Sequence, residues 1–250
     1  MTDSPASTPD VSFPDISVVV PVHDESGAAV PLAREIAEAF AGRSYEMIFV
    51  NDASRDATLA ELQAAMAELP TLRVLSHATN AGQSRAVRTG VLAARAPIVV
   101  TLDGDGQNPP ADAPRLADAL VAAPASVALV GGVRARRQDT NAKRQASLWA
   151  NRIRKKLLSD DADDTGCGLK AFRRDVFLRL PYFDHIHRYL PALMIREGYE
   201  NRYLDVDHRH RETGRSKYTN WGRLRASFSD LLGVMWLKSR SRRPGAISEF

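Results

Sequence analysis

Ile98-Val99-Val100-Thr101-Leu102-Asp103-Gly104-Asp105-Gly106-Gln107-Asn108-Pro109-Pro110 sets the frame for the whole chain. Five consecutive apolar or β-branched residues, stopped by an acidic, glycine-rich turn, predict a strand buried on both faces. Pro110 pre-sets the first turn of a following helix. The same strand, polar turn and helix recur on either side. Strands are expected at Ile16–Val20, Met47–Val50, Leu72–Leu75, Ile98–Leu102 and Val127–Val130. Between them Val30–Phe40, Thr58–Leu69, Ser84–Ala94 and Arg115–Ala122 carry apolar residues at three- and four-residue spacing. That alternation predicts an α/β fold with a mostly parallel central sheet and helices on both faces.

After Gly132 the pattern changes. Arg134 to Lys156 is basic, with Ala146, Leu148, Trp149, Ile153 and Leu157 near helical spacing, and is expected to be a helix crossing the sheet edge with Trp149 in the core. A helix at Arg188–Glu197, a polar strand at Asn201–Asp207 and a helix at Leu224–Leu237 follow. Residues 1–13 are rich in Ser, Thr, Pro and Asp and are expected to be a disordered leader. The catalytic domain is expected over 14–218 and a basic amphipathic helix and tail over 219–250.

Composition narrows the class. The 250 residues are 44% hydrophobic and 26% charged, enough for one sizeable core. The lone cysteine, Cys167, excludes a disulfide framework and a thiolate zinc cluster, and nothing in its sequence context lowers its pKa for catalysis. The apolar runs fall well short of the roughly 20 residues that cross a bilayer, and Met1 to Pro14 has no signal-peptide pattern, so a cytoplasmic location is expected. The formal charge is +4, but the last fifty residues hold 11 Lys and Arg against 5 Asp and Glu. The basicity is therefore local to the end of the chain.

In an open parallel sheet, ligands sit beyond the carboxyl ends of the strands. There the chain places His23-Asp24-Glu25, Asn51-Asp52-Ala53-Ser54-Arg55-Asp56, Asn80-Ala81-Gly82-Gln83 and Asp103-Gly104-Asp105-Gly106-Gln107. Any one of these alone reads more readily as a helix cap or turn than as a site. Four of them at one edge argue for a site. Asp103 and Asp105, separated by one glycine, suit a hard divalent cation whose remaining ligands are substrate phosphates.

Val18-Val19-Val20-Pro21-Val22-His23-Asp24-Glu25, Asn51 to Thr58 and Asp103 to Pro110 together resemble the inverting family 2 glycosyltransferases of the GT-A fold. Within them the chain is most similar to dolichol- and polyprenyl-phosphate glycosyltransferases, from about Ile16 to about Tyr218. The resemblance implies a GT-A, Rossmann-like domain. Pro21 and Glu25 would touch the nucleotide and Asp52 would hold the base. Asp103 and Asp105 would bind Mg2+ or Mn2+ and the diphosphate, with Gln107 beside them. Asp164 to Arg174 would line the acceptor side, and Arg211, Ser216 and Lys217 would form a basic loop closing over phosphate, so that Asp105, Arg211 and Lys217 carry catalysis. Ala53 and Ala57 stand where glycine is usual in the family, and Asn51 where a second Asp is common.

The implied reaction moves one sugar, of mannose or glucose type, from a GDP- or UDP-sugar to a polyprenyl phosphate (dolichol or undecaprenyl) at the cytoplasmic membrane face. A metal with flanking cations stabilises a departing nucleoside diphosphate. An alcohol acceptor needs a base, whereas a phosphate monoester, with a second pKa of about 6, is already anionic. Basic residues such as Arg136, Arg137, Arg173 and Arg211 then matter more than a carboxylate. The alternative is a family 2 enzyme acting on a polysaccharide or other hydroxyl. Gln145 to Trp149 lacks the arginine of the Gln-x-x-Arg-Trp signature of processive synthases. No nucleic-acid partner is expected, because the acidic strand ends repel a phosphate backbone. His208 and His210 read as strand-edge residues, and His185 to Arg188 as a loop near the acceptor groove.

In the last helix Leu224, Phe228, Leu231, Leu232, Met235 and Trp236 are expected on one face, with Arg223, Arg225, Lys238, Arg240, Arg242 and Arg243 at the ends. Such a helix, about 21 Å long, suits peripheral contact in the lipid headgroup region.

Overall fold

A computed structural model describes residues 13–134, 157–158, 160, 162, 164–209 and 220–242, the side chains of 220–227 excepted. Most of the leader, the basic segment with Arg136, Arg137, Gln145 and Trp149, and the loop carrying His210, Arg211, Ser216 and Lys217 lie outside the described residues.

The strands are β1 (Ile16–Val22), β2 (Tyr45–Asn51), β3 (Leu72–Ser76), β4 (Ile98–Thr101), β5 (Val127–Arg134), β6 (Lys170–Arg173) and β7 (Glu200–Val206). The helices are α1 (Ala29–Ala39), α2 (Thr58–Ala65), α3 (Gln83–Ala93), α4 (Ala113–Val121), α5 (Arg174–Arg179), α6 (Leu190–Arg196) and α7 (Asn220–Ser239), with short 3-10 turns at Pro110–Asp112 and Ile186–Arg188. They build one seven-stranded sheet in the order β3-β2-β1-β4-β6-β5-β7. β1 pairs in parallel with β2 and β4, β2 with β3, and β5 with β7, while β6 runs antiparallel to both β4 and β5. The expected mostly parallel sheet is therefore observed, with one inserted strand that the periodicity did not predict. Arg134 closes β5 rather than opening a helix.

All seven residues of β1 are buried, which explains its unbroken apolar run. Its side chains alternate between two layers. Val18, Val20 and Val22 join Leu32, Ile36, Leu116 and Leu120 on one face, while Val19 joins Val87, Val91, Phe177 and Leu193 on the other. Val234 of α7 is fully buried in that second layer. The C-terminal helix is thus fastened to the sheet.

Register sets which loops meet. Val22 lies opposite Asn51, so β1 and β2 end together, and Val19 lies opposite Thr101, so β4 ends three residues earlier at the same edge and leaves room for the turn that follows it. The antiparallel strand β6 begins there, with Lys170 opposite Thr101. Arg173 lies opposite Ile98 at the far edge, where its guanidinium donates to the carbonyls of Val127 (2.9 Å) and Ala123 (3.4 Å). It braces the sheet and does not reach the acceptor side, because a four-residue strand carries its two ends to opposite edges.

That far edge is held by Glu46. Its carboxylate accepts hydrogen bonds from Ser17 Oγ and the Arg95 amide, both 2.7 Å, and pairs with Arg73. Burial pushes its pKa up, but these donors outweigh burial and hold it below the usual glutamate range.

Candidate active site

A cavity of about 850 Å³ opens at the shared carboxyl edge. Pro21, Glu25, Asp52, Asp103 and Asp105, all read as site residues from the sequence, line it. Gln107 does not. The turn after Asp105 brings its backbone N–H to Asp105 Oδ1 at 3.2 Å and its carbonyl to the Arg209 amide at 2.9 Å, so its backbone ties the acidic turn to the end of β7. The amide side chain beside the pair belongs instead to Gln83, whose Nε2 donates to Asp103 Oδ1 at 2.7 Å.

The acidic turn is built around two close approaches. A β-carbon on Gly104 would come within 2.6 Å of the Pro21 carbonyl oxygen and 2.7 Å of Val22 Cγ1, so only glycine lets the turn rest on β1. A β-carbon on Gly168 would come within 2.2 Å of the Asp103 carboxylate. The segment entering β6 is thus shaped as a backrest for Asp103, and Thr101 Oγ1 donates to the Gly168 carbonyl at 2.9 Å to hold it there.

Burial, and after it the charge of Asp105, push the Asp103 carboxyl up to about 6, against Lys170, Gln83 and Arg134 acting downward. Two crowded carboxylates at an open cavity are the usual protein share of a Mg2+ site completed by phosphates and water. Among the described residues no three His, Cys, Asp or Glu side chains gather into an all-protein cage. The donor set therefore fits a cation that arrives with a phosphorylated ligand.

Asp52 is 3% exposed, and its carboxylate is already engaged. Oδ1 receives the Ala81 amide (2.9 Å) and His77 Nδ1 (2.7 Å), and Oδ2 receives the Gly82 amide (2.7 Å). It locks the loop before α3 onto the end of β2. Asn51 does similar work, donating from Nδ2 to Ser76 Oγ at 2.9 Å. Ala53 adopts a left-handed φ of +56°, the reason glycine suits that position, whereas Ala57 has an ordinary φ of −75°.

The same cavity also holds cations. Lys170 is 5% exposed, and burial lowers its pKa, opposed by Cys167, Asp103 and Asp164. Its ammonium donates to the Cys167 carbonyl and, at 3.4 Å, to that of Thr165. Asp164 forms a two-pronged pair with Arg134, at 2.6 and 2.8 Å. Burial raises the pKa of the Cys167 thiol, which keeps it inert, as its sequence context implied. His187 and Arg188, from the Ile186–Arg188 turn, line the cavity as well. The sequence put Gln83 at the same strand-end edge as Asp103 and read the segments of Lys170, His187 and Arg188 as the acceptor side. That Gln83 bonds Asp103 and Lys170 lies beside it follows only from the folded sheet.

Solved structures share this architecture. Glucosyl-3-phosphoglycerate synthase from Mycobacterium tuberculosis, in complex with Mg2+ and uridine-diphosphate, superposes with a TM-score of 0.64 at 18% identity, covering 93% of this chain and 82% of that one. A mannosyltransferase from Pyrobaculum calidifontis, in complex with GDP-Man and Mn2+, gives 0.63 at 21% identity, covering 94% and 67%. The fold is thus of the GT-A type. The Glycosyl transferase family 2 profile matches residues 17–180, and the chain belongs to that family. It is 32% identical over 237 residues to the dodecaprenyl-phosphate galacturonate synthase of Rhizobium johnstonii, covering 92% of this chain and 69% of that protein. It is 33% identical over 226 residues to an undecaprenyl-phosphate 4-deoxy-4-formamido-L-arabinose transferase of Shewanella sediminis, covering 88% and 64%. The chain spans about two thirds of the length of these curated relatives.

Proposed function

We propose that this chain is an inverting glycosyltransferase that moves one sugar from a nucleotide-sugar to the phosphate of a polyprenyl phosphate at a membrane surface. The observation that carries this reading is the set of groups that share the cavity. Besides Asp103 and Asp105 it is lined by Lys170, Arg188 and the neutral His187, and the carboxylate Asp164 beside them is tied up by Arg134. A hydroxyl acceptor needs a base, whereas a phosphate dianion needs only cations to bring it into line.

Asp103 and Asp105 would hold Mg2+ or Mn2+, and the bound ion would neutralise the charge that develops on the departing diphosphate. Pro21 and Glu25 flank the nucleotide at the end of β1, with Asp52 fixing the loop beneath it. Lys170 and Arg188 supply the positive charge that orients an acceptor phosphate oxygen towards the anomeric carbon. The new carbon–oxygen bond forms as the bond to the diphosphate breaks, and the electron pair leaves with the nucleoside diphosphate. Arg211 and Lys217, which follow β7 in the sequence, would add positive charge over that leaving group.

The membrane contact is assigned to α7. Phe228, Leu232 and Trp236 are 64%, 50% and 60% exposed at four-residue spacing, while Val234 on the other side of the helix is buried. Among the described residues no helix is long and apolar enough to cross a membrane, so the stripe suits a helix lying in the interface. Nucleotide-sugars place that surface on the cytoplasmic side. The relatives' names add galacturonate and 4-deoxy-4-formamido-L-arabinose to the mannose and glucose types as donors to test.

The test gives the purified protein Mn2+, undecaprenyl phosphate and a panel of labelled GDP- and UDP-sugars. One donor is expected to deliver label to the chloroform-soluble fraction. Asp105→Asn should lower that rate at least about ten-fold with unchanged melting temperature, because a carboxamide keeps the shape and loses the charge that holds the cation. Failure of every donor to label the lipid would remove the proposal.

A further inference from the structure

We propose that Arg188 and the Nε2–H of His187, with Ser84 as a positioning residue, form the seat for the phosphate monoester of the acceptor. The assignment rests on the polyprenyl-phosphate reading above and gives its acceptor site an atomic form. Among the described residues, no hydrogen bond or ion pair engages the Arg188 guanidinium, although it lines the cavity. A planar guanidinium matches two phosphate oxygens at once. Lys170, by contrast, is committed to the carbonyls of Cys167 and Thr165, so it contributes field rather than contact. Arg55 also lines the cavity, but it enters from the loop after β2, beside Glu25 and Asp52 at the nucleotide end.

His187 feels the charge of both Lys170 and Arg188. Its Nδ1 lies 2.6 Å from Ser84 Oγ, and Ser84 is 1% exposed with no other partner for its hydroxyl among the described residues. The hydroxyl therefore donates to Nδ1, which leaves the imidazole proton on Nε2 as a hydrogen-bond donor. Burial, then Lys170 and Arg188, hold the imidazole pKa down at about 3, so the ring stays neutral. A ring that weak cannot serve as the base an alcohol acceptor requires. It can still donate to an anion. The turn that presents both residues is itself fixed: His185 holds a left-handed φ of +63°, and its Nδ1 meets Asp230 Oδ2 of α7 at 2.8 Å. The helix whose outer stripe faces the lipid thus also pins the seat.

The test measures steady-state kinetics and binding on the full chain. Arg188→Ala should raise the KM for undecaprenyl phosphate at least about ten-fold and leave the KM for the nucleotide-sugar within two-fold, with Arg188→Lys in between. Ser84→Ala should raise the acceptor KM several-fold and shift the 15N resonances of His187 from the Nε2–H tautomer to a mixture, which a purely packing role would not do. Calorimetric titration in the presence of nucleoside diphosphate and Mn2+ should find farnesyl phosphate bound more tightly than farnesol or inorganic phosphate, and lost in Arg188→Ala. Unchanged farnesyl phosphate binding in Arg188→Ala would overturn the seat, as would loss of nucleoside diphosphate binding in its place. Equal affinity for inorganic phosphate would overturn its assignment to a lipid. If wild-type protein transfers no sugar to polyprenyl phosphate yet binds farnesyl phosphate through Arg188, the seat stands and the proposed reaction falls.

Discussion

Ala53 holds the left-handed conformation that its family usually assigns to glycine, at a cost of roughly 1–2 kcal/mol for a residue with a β-carbon. Ala53→Gly relieves that strain, and glycine's greater freedom in the unfolded chain offsets part of the gain. We expect net stabilisation of about 1 kcal/mol, or roughly 2–4 °C in thermal unfolding. A lower melting temperature would show that the turn is unstrained. The sequence marked Ala53 as unusual, yet the reason is a backbone angle that no residue string displays. Asp52 illustrates the same gap. Read as the residue that holds the base, it lines the cavity as expected, but its two oxygens already receive three donors. Only the folded loops reveal that commitment. Asp103 and Asp105 were legible because their chemistry is local: two carboxylates one residue apart at the end of a buried strand.

Among the elements, β1 to β5 could be read from continuous apolar runs, since a strand covered on both faces leaves no polar alternation. Lys170–Arg173 escaped because four residues with one polar end at each side carry no period, and because its place between β4 and β5 is a matter of topology. The last helix was found but its faces were misjudged. Of the residues expected on one face, Leu231 and Met235 pack on the domain, while Phe228, Leu232 and Trp236 stay exposed, and Leu224 lies outside the described side chains. Removing the helix would therefore strip Val234 from the core, so point changes are the better probe. Full-length protein should float with anionic vesicles at low salt and be released as salt rises, with basic residues near the surface contributing about 1 kcal/mol each. Phe228→Ser combined with Trp236→Ser should abolish flotation without lowering the melting temperature. Equal flotation of the two proteins would deny the stripe its lipid. At the far edge of the sheet, Glu46→Gln should cost about 1–3 kcal/mol at pH 7, since buried donors lose a charged acceptor. The Glu46 pKa is lowered on folding, so its contribution is complete above the unfolded value near 4.5 and disappears as pH falls through the folded value. Urea titrations of both proteins should therefore converge as pH falls below the unfolded value and through the lower folded one. A constant gap across that range would reassign the stabilisation to packing.

At the scale of the molecule, one cavity at a single sheet edge gathers carboxylates from the ends of β1, β2 and β4 and cations from β6 and the turn before α6, and the outer stripe of α7 lies on the helix that pins that turn. The basic excess of the last fifty residues, which composition alone located, falls on that helix and the segments flanking it. The arrangement accounts for an acceptor that is anionic at its reacting end and apolar beyond it. On this reading the cations bring an already anionic phosphate into line, and the acceptor needs no base. The most direct measurement supplies the purified protein with its preferred labelled nucleotide-sugar and, in parallel, undecaprenyl phosphate or undecaprenol in the same detergent. Turnover on the phosphate with none above background on the alcohol is the predicted result, and glycosylation of the alcohol at a comparable rate would contradict it.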